Sequence, residues 1–327
     1  ARLTLMTPSG PVTPVDLSRL NTRYPYVAFM PQARFLEFIA AEARQYPSFR
    51  LIMGASVEEL IEENGAVCGV RYVSEQGKHE LRALLTVGAD GRFSRLRRMG
   101  HFEAIKTSPP MDVLWFRMSR RTDEAARSGG WIRRGHMLVM LERDTQWQIG
   151  YVIPKGTYQR LREGGLGELR KSIAETAPHL ADRVDELTDW KQLSPLVVES
   201  DRLARWYRAG LLLIGDAAHI MSPVGGVGIN YAIQDAVVTA NVLSKAIKAG
   251  QLRVEDLAAV QRQREGPTRF IQSFQTAMQK RIVAGALDPG KEFRLSPGLK
   301  LFLGTPFLRD LPARWIAFGP RRVRLNG

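Results

Sequence analysis

The 327-residue sequence has little of what stabilises secreted or membrane-bound folds. Its single cysteine, Cys68, cannot form a disulfide within the chain. No apolar run approaches the roughly 18 residues of a membrane-spanning helix, and we expect no signal peptide. The five histidines show no metal-ligand spacing, and there are no internal repeats. These absences exclude a disulfide-stabilised scaffold, a membrane-spanning bundle and a solenoid, and they predict a cytoplasmic protein without a bound metal.

The chain is strongly basic, with a formal net charge of +14 and a pI near 10.2. The basic residues are spread along the sequence, and no RNA-binding or helix-turn-helix signature accompanies them. We therefore expect no nucleic-acid partner, and attribute the charge to attraction of anionic cofactors. The basic segment 314–324 interleaves apolar residues. It is interpreted as a tail packed by Trp315 and Phe318, with contact to a membrane surface as the less favoured alternative.

The most informative segment is 211–236. An apolar run, 211–214, ends at Gly215-Asp216, a proline and three glycines follow, and a helical pattern begins near Ile229. This order predicts a strand, a glycine-rich loop and a helix N-terminus. Such a junction offers free backbone N–H groups and the positive end of a helix dipole to an electron-rich ligand. The Asp216 carboxylate can accept hydrogen bonds from the hydroxyls of a sugar or polyol.

A second buried strand pattern, in segment 83–97, runs into Asp90-Gly91. Ser94 is a candidate N-cap for a short helix after this turn. Taken alone, the segment is an ordinary tight turn followed by a solvated basic face. A third candidate is Gln32, which opens a predicted helix whose apolar stripe includes Phe35 and Ile39.

Together these segments resemble the FAD-dependent monooxygenases of the p-hydroxybenzoate hydroxylase fold. The second segment is similar to that family's "DG" motif, with Asp90, Gly91, Ser94 and Arg97 in register. The first is similar to its "GD" motif, and the matching residues are Gly215, Asp216, Ala217, Ala218, His219, Pro223, Gly225, Gly228, Asn230 and Asp235. The resemblance implies an α/β FAD-binding fold joined to an α+β substrate domain with a mixed sheet.

The resemblance also implies roles for individual residues. Asp216, after Gly215, would bind the ribityl chain of FAD, and Pro223 would lie beside the ring. Asp90 would lie near the pyrophosphate and affect NAD(P)H use, and Gln32 would reach the flavin. The backbone that would face the pyrimidine edge of the isoalloxazine comprises Gly225, Gly226, Val227, Gly228, Ile229 and Asn230.

The implied reaction is oxygenation of an aromatic or other electron-rich small molecule. NAD(P)H would reduce FAD, dioxygen would form a C4a-hydroperoxide, and its distal oxygen would pass to the substrate. No catalytic side chain beyond the flavin is expected, and His219 is interpreted as structural. Three alternatives stay open: a reductase of polyprenyl-type substrates, a flavin halogenase, and a non-catalytic binding protein lacking the ADP-binding half. Flavin halogenases have a W-x-W-x-I-P block, and segment 147–154 keeps only its Ile-Pro.

Substrate contacts are expected on two strands of the substrate domain. Alternation places Trp147, Tyr151 and Ile153 on one sheet face, and Trp115 with Arg117 on another. These five residues are candidates for a pocket that accepts a flat aromatic or isoprenoid-like ligand. A role in the hydrophobic core is an equally good interpretation for them. We expect the substrate domain at 1–31 and 101–204, the FAD-binding domain at 32–100 and 205–283, and a helical tail at 284–327, in a monomer or homodimer.

The family's opening βαβ unit, with its G-x-G-x-x-G turn, has no counterpart before Gln32. We therefore expect weak FAD binding by a chain that starts at Ala1, because the ADP half of the cofactor would lack its contacts. The remaining secondary structure is predicted from periodicity. Strands are expected at 49–53, 56–62, 67–74, 79–87, 112–120, 136–143, 147–154 and 193–200, and helices at 34–46, 164–179, 229–248 and 254–282, the last broken or kinked at Gly266-Pro267.

Overall fold

The computed structural model describes residues 2–26, 28, 30–107, 109–124, 128–306 and 308–326. It is a mixed α/β protein with one seven-stranded sheet and three three-stranded sheets, in agreement with the predicted fold class. The strands are β1 Arg2–Thr7, β2 Gly10–Asp16, β3 Ser56–Glu63, β4 Ala66–Ser74, β5 Gly77–Arg82, β6 Thr86–Gly88, β7 Ala104–Thr107, β8 Met111–Ser119, β9 Gly129–Arg133, β10 His136–Arg143, β11 Gln146–Pro154, β12 Ser194–Leu196, β13 Ser200–Leu203, β14 Tyr207–Arg208, β15 Leu211–Leu213 and β16 His219–Ile220. The helices are α1 Gln32–Ala43, α2 Arg95–Met99, α3 Tyr158–Glu163, α4 Gly165–Thr176, α5 Gly228–Lys248, α6 Val254–Met278, α7 Ala284–Ala286, α8 Pro297–Gly304 and α9 Leu311–Phe318.

The seven-stranded sheet has the order β12-β8-β11-β10-β9-β1-β2. Its pairs are antiparallel except for β1 and β9, which run parallel. Side chains alternate across it, as the period of two requires. One face carries Leu114, Phe116 and Trp147 in a core that includes Leu169 and Ile173 of α4. The other face packs with the chain after α6.

A second part of the molecule is built around the parallel strand pair β6 and β15. Strand β15 pairs parallel with β6 and antiparallel with β14. The three leucines of β15 are fully buried, in a core shared with Val238 of α5 and Val260 of α6. This burial explains the uninterrupted apolar run that identified the strand in the sequence. The meander β3-β4-β5 borders this half, and its first hairpin turns at Asn64-Gly65, where φ is 50° and 78°.

The local structure differs from the sequence-based expectations in several places. Segment 49–53 is exposed and forms no strand. Segment 1–31, for which no strands were predicted, contains the hairpin β1-β2. The helix α1 begins at Gln32 as expected, but it has no buried residue, so its apolar stripe is uncovered in the described chain. The helix α6 runs through Pro267 without a break, because buried contacts on both sides of the proline outweigh its low helix propensity.

The helix α6 continues into a π-helical segment, Gln279–Val283, and then into α7. Beyond α7, α9 packs Ala313 against Val15, Leu17 and Leu20. Within the described residues, no helix combines the length and the apolar character needed to cross a bilayer.

Candidate FAD-binding site

The two strongest sequence motifs lie next to each other because they follow neighbouring parallel strands. Leu213 of β15 pairs with Gly88 of β6, and the N–H of Ile214 donates to the Gly88 carbonyl at 2.9 Å. A Cβ atom on Gly88 would lie 2.4 Å from the Leu213 side chain, so a larger residue there would displace that side chain. The carboxyl ends of adjacent parallel strands are where α/β folds bind ligands, and both Asp90 and Asp216 follow this edge.

The turn after β15 is fixed by one buried carboxylate. Gly215 has a φ of +58°, and its N–H donates to Asp235 of α5 at 2.9 Å. Asp235 is fully buried and also bonds His219 Nε2 and Arg264 Nε, each at 2.6 Å. Helices α5 and α6 are thus joined to the turn through a single side chain. His219 is 1% exposed and faces Asp235, which supports its structural interpretation.

This cluster places charged groups in the interior of the protein. Although burial acts in the opposite direction, His219 and Arg264 hold the pKa of the Asp235 carboxyl below its usual value. The Arg264 guanidinium also lies over the Tyr231 ring, 5.3 Å from its centroid. Burial raises the pKa of Tyr231 to about 12. The cluster therefore carries an ionised Asp235 and a neutral Tyr231 at neutral pH.

Asp216, the residue after Gly215, makes no hydrogen bond or ion pair with the Asp235 cluster in the described chain. Its side chain is half-buried, and no hydrogen bond or ion pair within the described chain engages its carboxylate. Burial raises the pKa of Asp216 above its usual value, although the charges of His219 and Arg92 oppose the shift. A half-buried carboxylate without a protein partner has lone pairs available for donors from a ligand. The hydroxyls of a polyol chain are suitable donors.

The glycine-rich loop between β16 and α5 presents bare backbone. A turn closes from the N–H of Gly226 to the carbonyl of Pro223 at 3.0 Å. Gly225 and Gly226 have φ values of 81° and 61°, and both are exposed. No side chain caps the N-terminus of α5, and Ile229 and Asn230 in its first turn are exposed too. The loop is not bare throughout, because a Cβ on Gly225 would lie 3.7 Å from the Ile316 side chain of α9.

The donors and acceptors of the site fit the isoalloxazine half of FAD. The free N–H groups at the start of α5 suit the electron-rich pyrimidine edge, and the helix dipole favours negative charge there. A Cβ on Gly226 would meet nothing within 4 Å, so the space beside this glycine is open. Asp216 suits the ribityl hydroxyls. Of the residues assigned to the first motif, Asp216, Pro223, Gly225, Gly226, Gly228, Ile229 and Asn230 are at least partly exposed, whereas Gly215 and Val227 are buried. Their roles toward FAD stay predictions.

The second motif is bound up in structural contacts. The Asp90 carboxylate accepts hydrogen bonds from Ser94 Oγ at 2.6 Å, from the N–H of Arg95 at 2.7 Å and from that of Leu96 at 3.2 Å. Ser94 caps α2 by accepting from the N–H of Arg97 at 2.9 Å, as predicted. Arg97 forms a bidentate pair with Asp201 at 3.1 and 2.7 Å. Asp90 thus shapes the turn, and its role toward FAD stays a prediction. Gln32 is exposed at the start of α1, and no hydrogen bond of the described residues joins it to the loop.

The five pocket candidates separate by sheet face, as alternation predicts. Trp147, Tyr151 and Ile153 are at most 3% exposed and belong to the core under α4. For these three the structure supports the core interpretation. Trp115 is half-buried on the opposite face, which packs with Val224 of the glycine-rich loop. The exposed Arg117 shares the strand alternation of Trp115.

Sequence reasoning missed a set of buried polar residues on α6. Counted along α6 and the first residue of the π segment, they recur every three or four positions and therefore share one face. We call this face the polar stripe. It consists of Gln261, Arg264, Thr268, Gln272, Gln275 and Gln279, each at most 8% exposed. The signal was present, because these residues keep the spacing normally occupied by apolar side chains.

Comparison with known proteins agrees with this geometry. The family described as "FAD binding domain" matches residues 6–265. A 6-methylpretetramide 4-monooxygenase from Streptomyces rimosus is 33% identical over 95% of this chain and 74% of the relative. A 12-dehydrotetracycline 5-monooxygenase/anhydrotetracycline 6-monooxygenase from Streptomyces rimosus subsp. rimosus is 28% identical over 68% of this chain. That match spans only 46% of the relative.

Solved structures show the same fold. Anhydrotetracycline hydroxylase from Streptomyces rimosus aligns with a TM-score of 0.71 at 23% identity, over 97% of this chain and 62% of that one. A p-nitrophenol 4-monooxygenase from Pseudomonas putida aligns with a TM-score of 0.71 at 18% identity, over 98% and 81%. The chain therefore belongs to the FAD binding domain family and is an FAD-dependent oxidoreductase of the monooxygenase class, with a p-hydroxybenzoate hydroxylase-like fold.

Proposed function

We propose that this protein hydroxylates a polycyclic, phenolic substrate of the aromatic polyketide type. The observation that carries the proposal is the 33% identity to 6-methylpretetramide 4-monooxygenase over 95% of the chain. The second relative, also named for tetracycline-type compounds, points to the same chemical class. A fused-ring substrate is flat, and we assign to it Trp115, an aromatic side chain that is half-buried on the sheet face that also packs with Val224 of the glycine-rich loop.

When bound, FAD supplies the redox chemistry, taking electrons from NAD(P)H and transferring one oxygen atom of dioxygen to the substrate. The protein has to hold the bound flavin, orient it and shield it from water. Asp216 accepts hydrogen bonds from the polyol, and Gly225 to Gly228 let the backbone approach the ring. The N-terminus of α5 stabilises negative charge on the ring by about 0.3–2 kcal/mol.

The sheet topology and the contacts of the loop support the proposed domain boundaries. Strands β1 and β2 belong to the seven-stranded sheet, which supports assigning 1–31 and 101–204 to the substrate domain. The loop and its supporting helices support 32–100 and 205–283 as the FAD-binding domain. The tail, 284–327, contacts both the sheet core, through Phe293, and Val15 to Leu20. We place the protein in the cytoplasm, in keeping with its single cysteine.

The cofactor assignment is tested by FAD titration, followed through quenching of flavin fluorescence. In Asp216→Asn the charged acceptor becomes a neutral one, and we expect FAD to bind about 10-fold more weakly. The matched control is Asp123→Asn, since Asp123 is exposed in the turn after β8 and has no hydrogen bond within the described residues. Equal affinities for the two variants would remove Asp216 from the site.

The reaction is tested with ¹⁸O₂, NADPH and added FAD. We expect one ¹⁸O atom in hydroxylated 6-methylpretetramide and little product from the single-ring p-nitrophenol. Hydroxylation of p-nitrophenol alone would contradict the substrate class. Product reduced at a carbon–carbon double bond, without label, would favour the polyprenyl reductase alternative. NADPH oxidation without any modified substrate would contradict both.

A further inference from the structure

The side chain of Gln275 holds the backbone on both sides of Pro223. Its amide nitrogen donates to the carbonyl of Ser222 at 2.8 Å and to that of Val224 at 2.7 Å. Both bonds are made in the interior, where Gln275 is 2% exposed. Two carbonyl acceptors also fix the orientation of the amide, because its own oxygen would repel them. The Gln275 side chain of α6 therefore holds, by hydrogen bonds, the two residues that flank Pro223, which is assigned to the flavin ring.

A second glutamine of the polar stripe supports the same segment. Gln279 Nε2 donates to Ser222 Oγ at 2.5 Å, and that oxygen also accepts from the N–H of Val224 at 3.3 Å. The loop beyond Val224 has one further anchor, Val227, which is 1% exposed and packs with Met221, Tyr231 and Ile271. Between these anchors, Gly225 and Gly226 bring no side chain and are exposed. The path of the loop thus depends on the contacts of Ser222 and Val224 at one end and on the burial of Val227 at the other.

We propose that Gln275 is a positioning residue for FAD binding, which sets the conformation of the Pro223–Gly228 loop by holding the Ser222 and Val224 carbonyls. Gln275 does not touch the cofactor in this account and acts only through the loop backbone. The inference rests on the FAD assignment of the loop and is independent of the proposed substrate.

The helix supplies a matched control in Gln261. It is also a buried glutamine of the polar stripe, 8% exposed, and its amide makes two backbone hydrogen bonds. Gln261 Nε2 donates to the Ala204 carbonyl at 3.0 Å, and Gln261 Oε1 accepts from the N–H of Trp206 at 2.9 Å. These contacts hold the chain before β14 and not the loop. A purely structural role predicts the same consequences for both glutamines.

The test compares Gln275→Leu with Gln261→Leu by amide hydrogen exchange of segment 222–230 in the full chain without FAD. Loss of two hydrogen bonds to the loop should speed its exchange by about 10-fold or more in Gln275→Leu. We expect Gln261→Leu to leave exchange in this segment at the wild-type rate. Unchanged exchange in Gln275→Leu, or equal acceleration in both variants, would overturn the proposal.

FAD affinity provides the second readout. Gln275→Leu should bind FAD about 10-fold more weakly, because the binding-competent loop conformation is less populated, whereas Gln261→Leu should bind like the wild type. If Gln275→Leu fails to fold, Gln275→Met keeps a similar volume without the donors and is compared in the same way. Faster loop exchange with unchanged FAD affinity would show that this loop does not bind the flavin, and would overturn the role toward FAD. Failure of the substrate assays leaves both readouts intact.

Discussion

The cluster around Asp235 makes the sharpest prediction about stability. Asp235 is fully buried and accepts hydrogen bonds from Gly215, His219 and Arg264 at 2.6–2.9 Å. In Asp235→Ala the Arg264 guanidinium, 1% exposed, loses its only ion-pair partner within the described chain. Removing one partner of a buried pair typically costs about 3–5 kcal/mol, because a desolvated charge is left behind. We expect a loss of this size in the free energy of unfolding.

The measurement is denaturant unfolding followed by tryptophan fluorescence. Trp206 is a suitable probe, since its ring lies 4.9 Å from the His219 ring. The control is Glu80→Ala, which removes the exposed carboxylate that bridges Arg71 and Arg82. Exposed ion pairs contribute little, so this variant should unfold close to the wild type. A loss below about 1 kcal/mol in Asp235→Ala would refute the argument from burial.

A double-mutant cycle separates the charge pair from the rest of the cluster. Arg264→Leu alone should also destabilise the protein, since it leaves the Asp235 charge with less compensation. The double variant Asp235→Ala/Arg264→Leu has no orphaned charge from this pair, so it should lose less than the sum of the two single variants. Strict additivity would show that the two side chains do not act as a pair.

Three further predictions follow from burial, backbone geometry and titration. Trp147→Ala should lose about 3–5 kcal/mol in unfolding, whereas Trp115→Ala, on the loop-facing side, should lose less stability and raise the KM for substrate; the opposite ranking would reverse the assigned faces. Gly210→Ala should lower the free energy of unfolding by about 2–4 kcal/mol, because its backbone is left-handed and a Cβ there would meet backbone at 1.8 Å. Gly226→Ala should lower it by only about 1 kcal/mol, because a Cβ there meets open space. Although burial opposes the shift, backbone hydrogen bonds hold the pKa of Asp112 below its usual value, so the stability that its carboxylate contributes is present above about pH 4 and disappears as the pH falls. The free energy of unfolding of Asp112→Asn, measured from pH 6 to 3, should therefore converge on that of the wild type, and a difference that stays constant with pH would contradict this.

The flavin motif could be read from sequence because each of its parts is local. A buried parallel strand needs an apolar run, a left-handed turn needs glycine, and a helix start shows its own periodicity. The predicted strands 136–143 and 147–154 match β10 and β11 to within one residue for the same reason. The adjacency of the two motifs was not predicted from the sequence and results from the parallel pairing of β6 with β15.

Other features depend on partners that sequence does not identify. Alternation separated Trp115 from Trp147, but which face meets the loop depends on where α4 docks. The stripe of α1 has helical spacing, yet within the described residues nothing buries it. The glutamines of α6 resemble an exposed polar face, and only the docking of strand ends and loop carbonyls onto them makes them interior residues.

The π-helical segment gives α6 a second use. Near its end the helix directs Gln275 and Gln279 toward Ser222 and Val224. The wider turn Gln279–Val283 then changes the register, so that Ile282 and Val283 enter the core of the seven-stranded sheet. One helix thus contacts both the loop segment and the sheet core. Deleting one residue of this turn would rotate the apolar pair by about 100°, so the placement of the loop relative to the sheet depends on a helical irregularity that belongs to neither.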